Sequence, residues 1–231
     1  MVKLKKQIVA SAALGLFALC ASPAAFGVAE LMISDGTTTV TVKDNAVGDD
    51  SPATGFISYT GIGVFTGWNV VLNTDLTKPL SGTAASPSLD VNWSATHTSG
   101  SSNLTMWFSD TDFTGPIPTS AFLAGHGGSL TGTLAFTTYL DNTNVAFGTG
   151  TLLTSSVYMD GQSGIATSPT VFTVSPYSLT EKLTLTPGAV IPGDNSGDAS
   201  LMPAADGGYT SALLGIAILG VAAVRRKVLP A

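Results

Sequence analysis

The sequence predicts an all-β protein whose body is a single antiparallel β-sandwich or jelly roll. Three observations lead to this fold class. Apolar and polar residues alternate with a period of two, and short Gly, Pro, Asn and Asp clusters separate the alternating runs. No helical apolar period persists beyond two turns between about residues 30 and 188. Eight to ten short strands over this length fit one domain.

The first element along the chain is a predicted signal peptide over residues 1–27. Three lysines near the start precede the apolar run IVASAALGLFALCA and a small-residue segment, SPAAFG. This tripartite order is typical of secretory signal peptides, and it predicts export with cleavage after Gly27. Cleavage after Ala24 or Ala29 is an alternative. Cys20, the single cysteine, lies inside this segment, so the exported body has no disulfide and no thiol chemistry.

The predicted sandwich domain covers residues 28–188. Its clearest strand is SLDVNWSATHT, where every second residue is apolar or aromatic and His97 continues the apolar face. The segments NLTMWF, LTGTLAFTTYL and SPYSLTEKLTLT alternate in the same way. Further strand candidates are TTVTVK, GFISYTG, VFTGWNVVL, NVAFGTG, LLTSSVYM and TVFTVS. Turn clusters such as HTSGSSN and AGHGGS separate these runs.

A linker and a transmembrane helix are predicted after the sandwich. Over residues 189–208 the alternation is lost and Gly, Pro, Asp and Ser dominate, which is typical of a linker. Residues 209–231 hold a sixteen-residue apolar stretch that ends in the cations Arg225, Arg226 and Lys227. As a helix the stretch spans about 24 Å, which suffices for a bilayer core of about 30 Å when the cations snorkel. The cations place the C-terminus in the cytoplasm and the body outside.

The end of the chain resembles a known class of sorting signal. Its Pro–Asp–Gly cluster, apolar helix and Arg-rich end are similar to those of Gram-negative exosortase substrates, the PEP-CTERM group and more closely its VPDSG-type variant. Here the cluster consists of Pro203, Asp206, Gly207 and Gly208. Met202 stands where Val is usual, and two alanines separate the proline from the aspartate. The resemblance implies recognition of the cluster by a membrane-embedded exosortase, cleavage, and transfer to the surface or matrix.

The charge of the exported body limits its partners. Once the terminal cations are removed, the three lysines Lys43, Lys78 and Lys182 face fifteen carboxylates, for a net charge of about −12. Such a surface repels a phosphate backbone, so nucleic acid is excluded as a partner. A surface of this kind can instead collect divalent cations.

Few residues of the body suit catalysis. We expect His97 in the core and His126 in a flexible loop, and the sequence has no HExxH, G-x-S-x-G or phosphate-binding glycine loop. Asp110 and Asp112 alternate onto one strand face, where they can share a calcium ion or act as a glycosidase pair. The alternative is that Asp110 and Asp112 are solvated carboxylates in turns. Apart from calcium, no cofactor is expected. Glu181 falls on an apolar face, which indicates an inward charge on an edge strand or a bulge.

Two aromatic residues indicate a binding surface. Trp107 and Tyr139 fall on the polar faces of their strands, where they can stack on sugar rings, and partial burial under a loop is the alternative. The first functional hypothesis is a non-enzymatic, exported structural or adhesive protein. The second is a carbohydrate-binding protein of the cell envelope that contacts extracellular polysaccharide. The third is a carbohydrate-active enzyme that uses Asp110 and Asp112.

Overall fold

The computed structural model describes residues 27–116 and 119–204. Within these ranges every helix or strand that forms is a β-strand, which confirms the predicted all-β class. No helix in the same ranges is long and apolar enough to cross a membrane. The predicted signal peptide, up to residue 26, and the predicted helix over 209–231 lie outside the described residues.

The described residues form two six-stranded antiparallel sheets and a two-stranded ribbon. In chain order the strands are β1 (Glu30–Ser34), β2 (Thr39–Lys43), β3 (Phe56–Phe65), β4 (Trp68–Leu76), β5 (Leu89–His97), β6 (Leu104–Phe113), β7 (Thr119–Ser120), β8 (Phe122–Ser129), β9 (Thr133–Asp141), β10 (Thr151–Tyr158), β11 (Gly164–Thr167), β12 (Val171–Phe172), β13 (Tyr177–Thr186) and β14 (Gly193–Pro203). Sheet A has the order β10-β9-β13-β6-β1-β2, and sheet B has the order β11-β8-β14-β5-β4-β3. The ribbon pairs β12 with β7.

Strands that follow one another in the chain occupy matching places in the two sheets. The pairs β5/β6, β8/β9, β10/β11 and β13/β14 each have one member in sheet A and one at the corresponding position in sheet B. These eight strands therefore follow the strand order of a jelly roll. The N-terminal strands β1 to β4 extend both sheets on the same side, next to β6 and β5.

One apolar core lies between the sheets. The inward residues of both sheets belong to a single buried cluster, which includes Leu31 and Phe108 from sheet A and Leu72 and Trp93 from sheet B. Burial of a side chain of this size contributes about 1.5–3 kcal/mol. The predicted apolar face of β5 is confirmed, since every second residue from Leu89 onward is buried. The candidate strand NVAFGTG is instead the loop between β9 and β10.

The C-terminal boundary of the sandwich differs from the predicted one at residue 188. The predicted linker, residues 189–208, contains β14, which pairs with β5 on one side and β8 on the other. β14 is therefore an interior strand of sheet B, and removing it would split that sheet. The prediction was wrong because the residues of β14 that point inward are mostly small, so the strand has no apolar periodicity.

Gly197 shows why β14 needs small residues on its inner side. A Cβ atom at this position would lie 2.7 Å from Cε1 of His126 and 3.0 Å from Cζ2 of Trp93. The rings of the two neighbouring strands therefore fill the space that larger side chains on β14 would occupy. The core at this point is continuous, although β14 carries no apolar side chain from Gly193 to Asp198.

Candidate functional site

The outer face of sheet A brings together the two predicted aromatic residues. Trp107 lies on β6 and Tyr139 on β9, and β13 runs between these strands. The ring centroids are 6.4 Å apart and the ring planes differ by 17°. Nζ of Lys182, on β13, lies 4.5 Å from the centroid of the Trp107 ring. These three residues are called the aromatic–lysine cluster below.

The aromatic–lysine cluster is held in place by its own contacts. All three side chains are half-buried, so part of the ring surface faces solvent. An aromatic pair contributes about 0.5–1.5 kcal/mol beyond its buried area, and a cation over an exposed ring contributes about 0.5–1 kcal/mol. These contacts fix the rings before any ligand arrives, which lowers the entropy that binding must overcome.

Hydroxyl groups surround the cluster on the same face. Thr137 lies opposite Lys182 on the neighbouring strand, and Thr105 and Thr184 face one another with their hydroxyl oxygens 3.5 Å apart. Met32 lies opposite Trp107 on β1, and the exposed Leu152 lies opposite Tyr139 on β10. The face therefore combines flat aromatic surface with hydroxyls that both donate and accept hydrogen bonds.

Asp110 does not occupy the surface position that its sequence predicts. Its side chain is fully buried at one end of the sandwich. Oδ2 accepts hydrogen bonds from Nζ of Lys78 and Oγ1 of Thr77, both at 2.7 Å. Oδ1 accepts one from the backbone N–H of Thr111 at 2.7 Å. The oxygens of this carboxylate are thus engaged by neighbouring groups of the protein.

Asp112 takes different partners from Asp110. It is half-buried, its φ is 60°, and its Oδ1 accepts a hydrogen bond from Nδ2 of Asn144 at 2.6 Å. The register of β6 against β13 shifts between Asp110 and Phe113, so the alternation that places the two aspartates on one face is broken there. The predicted shared calcium ion and glycosidase pair do not fit this geometry. No group of three or more His, Cys, Asp or Glu side chains in the described ranges is placed to hold a metal ion.

His97 is a core residue, as predicted. It is buried and packs against Trp68, with ring centroids 4.9 Å apart. Its Nε2 lies 3.1 Å from the carbonyl oxygen of Gly100, and because a carbonyl only accepts, this nitrogen carries the proton. The residue therefore closes the turn after β5 and faces no solvent cleft.

His126 lies in β8 rather than in the predicted flexible loop. It is buried against Trp93 and Tyr158, with ring centroids 6.4 Å and 4.9 Å away. Its Nδ1 donates to the carbonyl oxygen of Asp198 at 3.1 Å, and burial lowers its pKa. The glycines of AGHGGS led to the prediction of a flexible loop, but in the structure they allow β14 to approach β8 closely. A Cβ atom on Gly128 would lie 2.6 Å from Cα of Gly197.

Glu181 is inward, but neither proposed explanation applies. It lies on β13, an interior strand of sheet A, and its pairing with Phe108 and Thr138 is in regular register. The residue is fully buried. Thr138 is buried too, and its hydroxyl oxygen lies 2.8 Å from that of Thr154 on β10. A small polar region therefore exists within the core of sheet A.

The outer face of sheet B carries an open depression of about 520 Å³. Its walls are formed by β8, β11 and β14, and they include Gly125, Gly127, Ile165 and Asp198. Near this depression, burial and the charge of Asp198 raise the pKa of Asp90 to about 6. No Trp, Tyr or Phe lines the depression, so the outer face of sheet A is the stronger binding candidate.

The predicted sorting and cleavage residues are only partly described. Pro203 is the last residue of β14 and lies opposite Phe122. The rest of the predicted motif, Asp206, Gly207 and Gly208, and the basic cluster Arg225, Arg226 and Lys227 lie outside the described residues. Gly27 is described, and it lies against the backbone of Thr111 where no larger side chain would fit.

Comparisons with known proteins show distant likeness to solved structures only. No family model matches the chain, and no curated protein matches it. The enzymatically active domain of tailspike protein 4 of bacteriophage CBA120 is 12% identical, with a TM-score of 0.33, over 60% of this chain and 20% of that one. An Arthrobacter globiformis isomalto-dextranase complexed with panose is 13% identical, with a TM-score of 0.27, over 77% and 30%. A family 29 carbohydrate-binding module complexed with cellohexaose is 10% identical, with a TM-score of 0.21, over 69% and 86%. Likeness this distant carries no functional argument.

Proposed function

We propose that this protein binds a neutral polysaccharide through the aromatic–lysine cluster on the outer face of sheet A. The observation that carries the proposal is the Trp107–Tyr139 pair, whose planes differ by 17° on a half-exposed face. Two near-parallel rings held across one intervening strand can contact neighbouring sugars of one chain. The apolar C–H face of a sugar ring covers aromatic surface, and the surrounding threonines and Lys182 can hydrogen-bond its hydroxyls.

The shape and charge of the protein favour a neutral, extended ligand. The cluster lies on a sheet surface, so it suits the side of a polymer better than a small molecule, which requires a concave site. The net charge of about −12 on the exported body repels an acidic polysaccharide. Lys182 is the cation at the cluster, and its three N–H donors can bind uncharged hydroxyls as well.

The proposed activity is binding without hydrolysis. The acid and base of a glycosidase must reach the glycosidic oxygen and its water. Asp110 is fully buried and Asp112 accepts a hydrogen bond from Asn144, so this pair is poorly suited to the task. Release of reducing sugars from a bound polysaccharide would contradict this part of the proposal.

The proposed location is the exterior of a Gram-negative cell, through the signal peptide and the C-terminal sorting signal. An exosortase-type enzyme would recognise the chain around Pro203 to Gly208 while residues 209–231 hold it in the membrane. Because β14 is an interior strand that ends at Pro203, only a cut beyond this residue leaves sheet B intact. An intact-mass measurement on cell fractions tests this: loss of the residues after about Gly208 supports processing, and an intact tail in the membrane fraction contradicts it.

The binding proposal is tested by retention of the full chain on neutral polysaccharides, both insoluble and in affinity gels. We expect Trp107→Ala to weaken binding at least ten-fold, which corresponds to about 1.4 kcal/mol. Tyr139→Ala should act in the same direction. Phe172→Ala is the matched control, since Phe172 is exposed and lies on the β7–β12 ribbon rather than on sheet A. Absence of retention for the wild type, or equal retention of Trp107→Ala, would leave the structural or adhesive role as the better hypothesis.

A further inference from the structure

A lysine and an aspartate meet in a dry site that joins the two sheets. Lys78 is the second residue after β4 of sheet B, and Asp110 belongs to β6 of sheet A. Nζ of Lys78 lies 2.7 Å from Oδ2 of Asp110, and the two side chains are 1% and 0% exposed. The two residues are 32 positions apart in the chain. They are called the inter-sheet pair below.

Burial opposes the charges of the inter-sheet pair, and an aromatic ring beneath the ammonium offsets only part of this effect. Nζ of Lys78 lies 4.0 Å from the centroid of the Phe113 ring, and Tyr177 packs against the same ring at 5.9 Å. Burial lowers the pKa of Lys78, although the charge of Asp110 acts in the opposite direction. When water is excluded, transfer of one proton from the ammonium to the carboxylate removes both charges.

Hydrogen bonds hold the two reacting groups in place. The backbone N–H of Thr111 donates to Oδ1 of Asp110, and the hydroxyl of Thr77 donates to Oδ2, both at 2.7 Å. Nζ of Lys78 also donates to the carbonyl oxygen of Thr111. The N–H on Oδ1 polarises the carboxyl carbon and stabilises the negative charge that develops on this oxygen when a nucleophile attacks, while the Thr77 hydroxyl holds Oδ2 in place. Fixed proximity removes the entropic cost of bringing amine and acid together.

We propose that Lys78 and Asp110 condense to form an intramolecular isopeptide bond. One ammonium proton passes to Oδ2, and the amine lone pair then attacks Cγ of Asp110. The tetrahedral intermediate expels Oδ2, which takes a second proton from the nitrogen and leaves as water. The new bond joins Nζ to Cγ, Oδ1 becomes the amide oxygen against the N–H of Thr111, and no group is oxidised or reduced.

The isopeptide bond would give this domain a covalent cross-link, which it cannot form through cysteine. The described ranges contain no cysteine, so no disulfide can form there. A bond between residues 78 and 110 closes a loop through the chain and restricts the unfolded state, as a disulfide does. It would also join sheet B to sheet A at one end of the sandwich. This inference does not depend on polysaccharide binding.

The test is the intact mass of the full chain under denaturing conditions. We expect the wild type to be lighter than its sequence by one water. Asp110→Asn is the informative variant, because an amide in place of the acid loses ammonia and arrives at the wild-type mass. Lys78→Ala and Asp110→Ala should show the full mass of their sequences. A wild type at its unmodified mass overturns the proposal, and this measurement needs no variant to fold.

A succinimide formed from an aspartate would also reduce the mass by one water, so the position of the water loss must be located to distinguish it from the isopeptide bond. Asp35, Asp160 and Asp206 each precede a glycine, and an Asp–Gly step can also lose water. A chymotryptic digest with fragmentation should yield a branched peptide that joins Lys78 to Asp110; trypsin is unsuitable because Pro79 follows Lys78. Water loss located at any of these three aspartates, with none at Lys78 and Asp110, would overturn the proposal. Thr77→Val keeps both reacting groups but lacks one donor, and it should give a mixture of bonded and unbonded masses.

Discussion

Two lysine–carboxylate pairs within the described residues have nearly equal length and opposite environments. Lys43 and Glu30 are 2.8 Å apart between the two strands at one edge of sheet A, with side chains 57% and 16% exposed. Lys78 and Asp110 are 2.7 Å apart between the sheets and almost fully buried. Water screens the first pair and is excluded from the second, so the distance alone does not determine the interaction energy of either pair. Burial decides whether such a pair is a weak surface contact or a site of reaction.

The largest expected effect comes from breaking the buried pair. Lys78→Ala leaves the carboxylate of Asp110 in an apolar site without its cation, and we expect a loss of about 3–5 kcal/mol in the free energy of unfolding. Loss of the proposed isopeptide bond would add to this. Guanidinium denaturation followed by tryptophan fluorescence measures the change. A loss below about 1 kcal/mol would mean that the buried and exposed pairs are energetically alike.

A smaller effect is expected from the donor that supports the buried carboxylate. Thr77→Val preserves the shape of the side chain but removes the hydroxyl that donates to Oδ2 of Asp110 at 2.7 Å. Oδ2 is present only where Lys78 and Asp110 have not condensed. Hydrogen bonds to charged groups contribute about 1.5–3 kcal/mol, so the free energy of unfolding of the uncondensed chain should fall by that amount. The same denaturation measurement serves here. An unchanged value would show that Lys78 alone satisfies the carboxylate.

Asp90 is intermediate in burial between the exposed pair and the buried pair. It is half-buried on the outer face of sheet B, and burial together with the charge of Asp198 raises its pKa from 3.8 to about 6. The folded state therefore binds this proton more tightly than the unfolded state does, and the stability it contributes is lost as the pH rises from about 4 to about 6. Asp90→Asn should be more stable than the wild type at pH 7, by about 1 kcal/mol after allowance for solvent screening.

The difference between Asp90→Asn and the wild type should shrink as the pH falls towards 4. Urea denaturation at several pH values between 4 and 8 measures it. Asp198→Asn is the matched variant, and its effect should be smaller because the neighbouring charge is the lesser cause of the raised pKa. Parallel pH profiles for Asp90→Asn and the wild type would contradict the assignment.

The smallest effect is expected at the exposed pair. Lys43→Ala should change the free energy of unfolding by less than about 1 kcal/mol, and the change should diminish further in high salt. The measurement also serves as the control for Lys78→Ala, since each variant removes one lysine from a pair of similar length. A loss comparable with that of Lys78→Ala would contradict the role assigned to burial.

Two neighbouring strands show how far the fold could be predicted from the sequence. β5 alternates large apolar residues with polar ones, so its inward face was identified correctly. β14 pairs with β5 from Gly193 to Leu201, yet its first three inner positions are Gly193, Asn195 and Gly197. Periodicity reports the size of a strand's own side chains, and the rings that cover β14 come from other strands.

The candidate site was predicted in part for the same reason. Alternation placed Trp107 and Tyr139 on outer faces, but their contact depends on the order β9-β13-β6, which is not the order of the chain. Lys182 was missed because a lysine on a polar face has no distinguishing signal. Lys78 was missed because nothing in its neighbourhood indicates burial beside Asp110.

The sequence by itself determined the all-β class, the faces of most strands, the acidic character of the body and the absence of thiol chemistry there. These properties are local or additive, since they depend on period-two alternation and on composition. Only the tertiary structure decided that β14 completes sheet B, that Asp112 separates from Asp110 at a bulge, and that Lys78 meets Asp110. Each of these outcomes depends on which distant strands become neighbours, and that is set by the packing of two whole sheets around one core.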